Sequence, residues 1–233
     1  GSPARSESII RHLEGVRLML KIGLLGYGTV GRSLAKLLAE RDAGIELVHI
    51  LRRPGKAGGP LMTDHFEDIL DDPAIDVIVD VLSGTEPSGE YMRRAMAAGK
   101  GVVTANKAAL ALHYEELTAL AREKNVPFLF EASVGGGIPW IENLKKAVRV
   151  DRVDRMSGIL NGTGNYIIDR MERFGMEFDQ ALAEAQAKGY AEADPTADIG
   201  GYDVANKAII SASVAMGSPV HAAFPVLGIG RIS

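Results

Sequence analysis

MLKIGLLGYGTVG, Met19 to Gly31, decides how this chain folds. Met19 to Leu25 is a short apolar run with no helical period, bounded by glycine, the pattern of a strand buried on both faces. Gly26, Gly28 and Gly31 follow in G-x-G-x-x-G spacing, and the helical pattern RSLAKLLAERDAG opens at once behind them. Glycine permits the tight turn, lets backbone approach a pyrophosphate and allows close packing of helix on strand, while the helix N-terminus stabilises the anion. With both flanks present, the stretch predicts a dinucleotide site built on Gly26, Gly28, Thr29, Val30 and Gly31.

The next strand, IELVHIL (Ile45 to Leu51), bears on which dinucleotide. A carboxylate at its end would receive the ribose hydroxyls and favour NAD. Arg52 and Arg53 stand there instead, with Lys56 close behind. Guanidinium groups match a 2′-phosphate through charge-assisted hydrogen bonds, so NADP is expected, with NAD as the alternative. A solvated basic turn would give the same residues, and Glu46 points towards NAD only if the strand ends early.

Alternation continues beyond this pair. A short helix (Phe66 to Leu70), a buried strand (Val77 to Val81), a helix from about Ser88 to Ala98 and a strand (Gly101 to Thr104) succeed one another. A helix (Tyr114 to Lys124) and a strand (Val126 to Glu131) close the series. Such alternation implies parallel strands with right-handed crossovers. The expected fold is α/β, a Rossmann-type doubly wound parallel sheet over residues 19–132. Loops after its strand ends, carrying Ser83, Thr85, Thr104 and Lys107, should lie along the cofactor crevice.

From Glu131 the character changes, and an α+β substrate and dimerisation domain is expected over residues 133–233. EASVGGGIPW holds Gly135 to Gly137, a run that either presents carbonyls to a ligand or serves as a hinge. Arg152 to Leu160 has the look of a strand, and Asn161 to Asn165 a glycine-rich turn opening a helix. KGYAEADPTADIGGYDVANK, Lys188 to Lys207, carries Glu192, Asp194, Asp198 and Asp203. Pro195 and the pair Gly200-Gly201 predict an irregular loop there, and a helix from Asp203. Asp203 and Lys207 then share a helix face, four residues apart. Two readings fit: a site for a small cationic substrate with a proton to move, or a solvated acidic loop with a surface ion pair.

Whole-chain properties narrow the field. The chain has 233 residues and is 46% hydrophobic, enough for one large domain or two small ones. Its 26 basic and 30 acidic residues leave a net charge of −4, which argues against bulk attraction to nucleic acid or an anionic membrane. Without cysteine there are no disulfides, thiolate nucleophiles or cysteine-ligated zinc. His12, His49, His65, His113 and His221 show no metal-ligand spacing. No apolar run has the length of a membrane span and the first residues lack a signal peptide's apolar core, so a cytoplasmic protein is expected. Gly1-Ser2 reads as a tag remnant, residues 1–18 as an appendage and Met19 as the natural start.

GYGTVG, VVTANKAALA, EASVGGGIP, GILNGTGNYI and GYAEADPTADIGGYDVANK stand in the order found in homoserine dehydrogenases. The chain resembles that family from about Met19 to Ile232. The resemblance implies reversible NAD(P)-dependent interconversion of L-homoserine and L-aspartate 4-semialdehyde, in threonine and methionine biosynthesis. It implies that Lys207 exchanges a proton with the substrate oxygen, with Lys107 as a second catalytic lysine between cofactor and substrate. Glu192 would receive the substrate amine, Asp198 line the same pocket, and Asp203 hold Lys207 or bind substrate. Gly162 and Thr163 correspond to backbone contacts with substrate, and Gly189 to the cofactor–substrate junction. A monovalent cation, usually sodium, is implied at the Glu131 side chain and the carbonyls of Val134, Gly136 and Ile138. A homodimer is expected.

Two departures stand out. The turn reads GTGNY where members usually carry GTTNY, and the family normally continues beyond the "GI-x-x-I" strand, here Gly228 to Ile232. No regulatory domain, and so no feedback through one, is expected. A non-catalytic cofactor-binding relative, or a dehydrogenase of another small amino-acid aldehyde, remains as an alternative.

Overall fold

The structure is a computed structural model that describes residues 19–56, 58–221, 224–230 and 232. The appendage expected at residues 1–18 lies outside the described residues. Described residues fall into two compact units. The first takes residues up to Leu82, with Glu90–Val103 and Leu120–Leu129. The second takes Ser83–Gly89, Thr104–Ala119 and the chain from Phe130 onward.

The apolar run after Met19 forms β1 (Leu20–Leu25), whose last four residues are all buried. β2 (Ile45–Leu51), β3 (Met62–Thr63), β4 (Val77–Asp80), β5 (Gly101–Thr104) and β6 (Phe128–Leu129) complete one sheet in the order β3-β2-β1-β4-β5-β6. β1 pairs in parallel with both β2 and β4, so the strand order reverses beside it. That reversal is the topological switch of a dinucleotide-binding sheet, outside whose strand ends ligands bind. Leu24, Leu25, Ile78 and Val102 supply the sheet's buried side chains, with Ile69, Met92 and Met96 packed as the helical layer. Burial of such side chains contributes roughly 1.5–3 kcal/mol each.

Helices fill the crossovers: α1 (Thr29–Glu40), α2 (Glu67–Leu70), α3 (Ser88–Ala97) and α4 (Lys107–Lys124). α4 begins at Lys107, seven residues before the Tyr114 start expected from its pattern, and leaves helical geometry at His113. The last strand is shorter than expected, because Glu131–Ser133 already turn as a 3-10 helix.

The second unit from Phe130 onward is built on α5 (Trp140–Ala147), α6 (Gly162–Phe174), α7 (Phe178–Ala187), α8 (Thr196–Ile199) and α9 (Tyr202–Met216). α6 and α7 form a hairpin around Ile167, Ala181, Ala185 and Ala191. The Trp140 indole donates to Ser211 Oγ at 2.9 Å and ties α5 to α9. Arg152 to Leu160 is not the strand its composition suggests, and neither is the described part of Gly228 to Ile232. A strand exists through a neighbour's ladder, and from Phe130 onward none forms among the described residues. The loop at Pro195 also differs in detail from an irregular one, since Thr196–Ile199 completes a helical turn. Proline at the entry of a helix removes a donor that the first turn leaves unbonded anyway.

Candidate active site

The glycine loop follows the chemistry of its spacing. Gly26 adopts φ +101°, a conformation that disfavours any side chain. Gly28 is the N-cap of α1 and gives it no side-chain cap, so the first N–H groups remain for a ligand. Gly31 is buried, and a Cβ there would clash with the Gly26 carbonyl oxygen. Thr29 and Val30 are exposed at the helix start. At the end of β2, Arg52 lays its guanidinium 5.5 Å from the centre of the Tyr27 ring, inside the glycine loop. Arg53 and Lys56 are exposed beside it. The basic turn and the glycine loop are therefore neighbours within the first unit.

In the second unit, Asn106 fastens two of the loops that follow strand ends. Its Nδ2 donates to the Gly84 carbonyl at 2.8 Å, and its Oδ1 accepts the Ala109 N–H at 3.2 Å, capping α4. The Asn106 N–H in turn donates to Thr104 Oγ1 at 2.9 Å. Ser83 and Thr85 are exposed on the loop so held, whereas Thr104 is fully buried. Lys107 leaves the first turn of α4 directly after this knot.

Lys107 meets the acidic motif at Asp203. Its Nζ lies 3.1 Å from Asp203 Oδ1. Lys207 Nζ donates to Asp203 Oδ2 at 2.6 Å and to the Leu160 carbonyl at 2.7 Å. Asn161 Nδ2 donates to the same Oδ2 at 2.9 Å and to Asp198 Oδ1 at 2.7 Å. Asp203 is 7% exposed. Burial pushes its carboxyl upward, but the Asn161 amide and the Lys207 and Lys107 ammonium groups together outweigh that and hold it below the usual carboxylate range. A single carboxylate thus orients two lysines from different motifs. Two of the three Lys207 ammonium hydrogens are engaged, and the third has no acceptor among the described residues.

The remaining expected positions sit as follows. Gly162 opens α6 directly after Asn161, its N-cap. Thr163 is buried, and its hydroxyl donates to the Tyr190 carbonyl at 2.6 Å, fixing the turn that holds Gly189. Gly189 has φ +76°, so it turns the chain out of α7. Glu192 is exposed; its backbone carbonyl accepts from Gln186 at 3.1 Å, and its side chain does not join the lysine cluster. Asp194 accepts from the Thr196 N–H and hydroxyl, hydrogen bonds that hold its carboxyl low. It works as a turn residue.

Glu131 Oε1 accepts the Ile141 N–H at 2.9 Å and Oε2 the Glu142 N–H at 2.8 Å, so its carboxylate caps α5. Val134 is buried, Gly136 takes φ +59°, and the exposed Ile138 accepts the Trp140 N–H on its carbonyl. Each of these oxygens keeps a second lone pair, and an all-oxygen set of this kind suits a hard cation.

Sequence reasoning passed over Asn161 and Asn106. Asparagine directly before a helix is a capping signal that both positions carry. Their second partners lie far along the chain and leave no local trace.

Sheet order, glycine loop and capless first helix define a dinucleotide-binding α/β protein. Residues 26–131 match the family model described as "Homoserine dehydrogenase, NAD binding domain" and residues 139–233 the one described as "Homoserine dehydrogenase". Homoserine dehydrogenase of Pseudomonas aeruginosa is 44% identical over 216 residues, covering 87% of this chain and 49% of that protein. Its counterpart from Corynebacterium glutamicum is 40% identical, covering 86% and 48%. The crystal structure of a homoserine dehydrogenase from Thiobacillus denitrificans superposes with a TM-score of 0.85 at 40% identity, covering 92% of this chain and 53% of that one. A hyperthermophilic archaeal homoserine dehydrogenase in complex with NADPH gives 0.79 at 30% identity, covering 92% and 75%. The chain belongs to the homoserine dehydrogenase family. It spans about half the length of the curated relatives it matches.

Proposed function

We propose that the chain catalyses NADP-dependent interconversion of L-homoserine and L-aspartate 4-semialdehyde, accepting NAD less well. The observation that carries this is the Asp203 carboxylate shared between Lys107 and Lys207 at 3.1 and 2.6 Å. The nicotinamide, when bound, supplies the hydride exchange with the substrate's C4. Lys207 moves the accompanying proton: as the neutral amine it takes the hydroxyl proton during oxidation, and as the ammonium it gives one to the carbonyl oxygen during reduction. Asp203 and the Leu160 carbonyl hold two of its hydrogens and aim the third position, a lone pair in the amine that takes the proton and an N–H in the ammonium that gives it. Lys107, held by the other Asp203 oxygen, places a second positive charge where oxygen charge develops.

Glu192 and Asp198 receive the substrate ammonium, while the backbone at Gly162 and Thr163 orients the substrate and Gly189 adjoins the cofactor. Arg52 and Arg53 would hold a 2′-phosphate, with the Arg52–Tyr27 contact placing one guanidinium at the glycine loop. Ser83, Thr85 and Thr104 complete the cofactor contacts. The oxygen set of Glu131, Val134, Gly136 and Ile138 takes a sodium ion that stiffens the turn before α5. The protein works as a cytoplasmic homodimer in amino-acid biosynthesis, a second copy covering exposed Val150 and Ile159. No helix of the described residues is long and apolar enough to cross a membrane.

The test is the purified chain with L-homoserine and NADP at alkaline pH, followed by absorbance of the reduced cofactor. Homoserine-dependent NADPH formation is expected. Bound NADP with no reduction would overturn the proposal.

A further inference from the structure

Asn161 sits at the junction of three functional elements. Its Oδ1 accepts the Gly164 N–H at 2.6 Å, which caps α6. That bond settles the orientation of the carboxamide, because an oxygen turned to the helix leaves the NH2 group facing the acidic motif. The two N–H bonds then diverge onto Asp198 Oδ1 at 2.7 Å and Asp203 Oδ2 at 2.9 Å.

We propose that Asn161 is a positioning residue that divides the two acids by role. Asp203 has both oxygens committed, Oδ2 to Asn161 and Lys207 and Oδ1 to Lys107, so it orients lysines and does not turn to substrate. Asp198 is bound through Oδ1, and its Oδ2 has no partner among the described residues. The half-buried Asp198 therefore keeps one oxygen for a cationic group of the substrate, at a fixed distance from the Lys207 ammonium. The neutral bridge also lets two carboxylates stand close together, which like charges otherwise resist. This inference rests on the catalytic reading above for its consequence in turnover, but the bridge itself is a separate matter of structure.

Substitution separates the bridge from the cap. Asn161→Ser retains a side-chain oxygen able to cap α6 and loses the paired N–H donors, whereas Asn161→Ala loses both. The Ser variant is expected to lose less of its thermal midpoint than the Ala variant, since only the bridge is gone, and to keep its NADPH affinity unchanged. Its KM for homoserine should rise tenfold or more, and the acid limb of its kcat/KM profile should move to higher pH. A Ser variant with wild-type KM and an unmoved acid limb would reduce Asn161 to a helix cap and overturn the proposal. Should wild type show no homoserine oxidation at all, NMR titration of 13C-labelled Asp carboxyl groups still decides the matter. An Asp203 midpoint raised in the Ser variant supports the bridge, and an unchanged midpoint refutes it.

Discussion

Lys107 Nζ and Asp203 Oδ1 meet at 3.1 Å, and the other oxygen of the same carboxylate takes Lys207 Nζ at 2.6 Å. Exposed ion pairs contribute little to stability. This group differs because the Asp203 side chain is only 8% exposed and also accepts the Asn161 amide. Its arrangement sets how acid and mutation act on the protein.

Removing the carboxylate leaves two ammonium groups and an amide facing a void. Asp203→Ala should cost about 3 kcal/mol, in the range for breaking a buried pair. Urea midpoints at pH 7 measure this. The folded carboxyl is held below its unfolded value, so its contribution is complete above about pH 4 and fades as pH falls through the lower folded value. Asp203→Asn should therefore flatten the loss of stability of the wild type on acidification, read as thermal midpoints between about pH 6 and pH 3.

Close approach at the glycine loop predicts a second sensitivity. Gly31→Ala would press a methyl group onto the Gly26 carbonyl and must displace the start of α1. A cost of about 1–3 kcal/mol is expected, as for overpacking elsewhere. Dinucleotide affinity should fall with it, whereas Gly28→Ala, where a Cβ meets nothing within 4 Å, should leave stability nearly unchanged. Differential scanning fluorimetry with and without NADPH separates the two.

Cofactor choice tests the basic turn. Arg52→Ala should weaken NADP binding by about 1.5–3 kcal/mol, the value of a hydrogen bond to a charged group, and leave NAD binding within a factor of about two. Equal loss for both cofactors would show that Arg52 supports the Tyr27 loop and does not read a phosphate.

Glu131 offers a test of the cation set. Glu131→Ala removes the acceptor of two α5 amides and should destabilise by about 1–2 kcal/mol, as for other lost caps. If sodium binds there, replacing choline chloride by sodium chloride raises the thermal midpoint of the wild type and not that of the variant.

Local features were legible in the residues. The buried run at Leu20–Leu25, the three glycines and the helix behind them declare themselves because each depends on its immediate neighbours. Asp203 and Lys207 share a helix face through spacing alone. Lys107 joined them only through the family resemblance, since its contact with Asp203 is tertiary. Asn161 stayed hidden for the same reason. Arg152 to Leu160 shows the opposite failure, with residues suited to a strand where no partner strand stands among the described residues. Composition reports what a segment can pair with and not whether a neighbour is there.

Lys207→Ala is the decisive variant. Homoserine oxidation and NADPH affinity should be measured on the same preparation. A kcat reduced about 10²- to 10⁴-fold, with the Kd for NADPH unchanged, is the expected result for loss of a proton-transfer group. Turnover within a factor of about three of wild type would contradict the account, because the proton would then travel through some other residue.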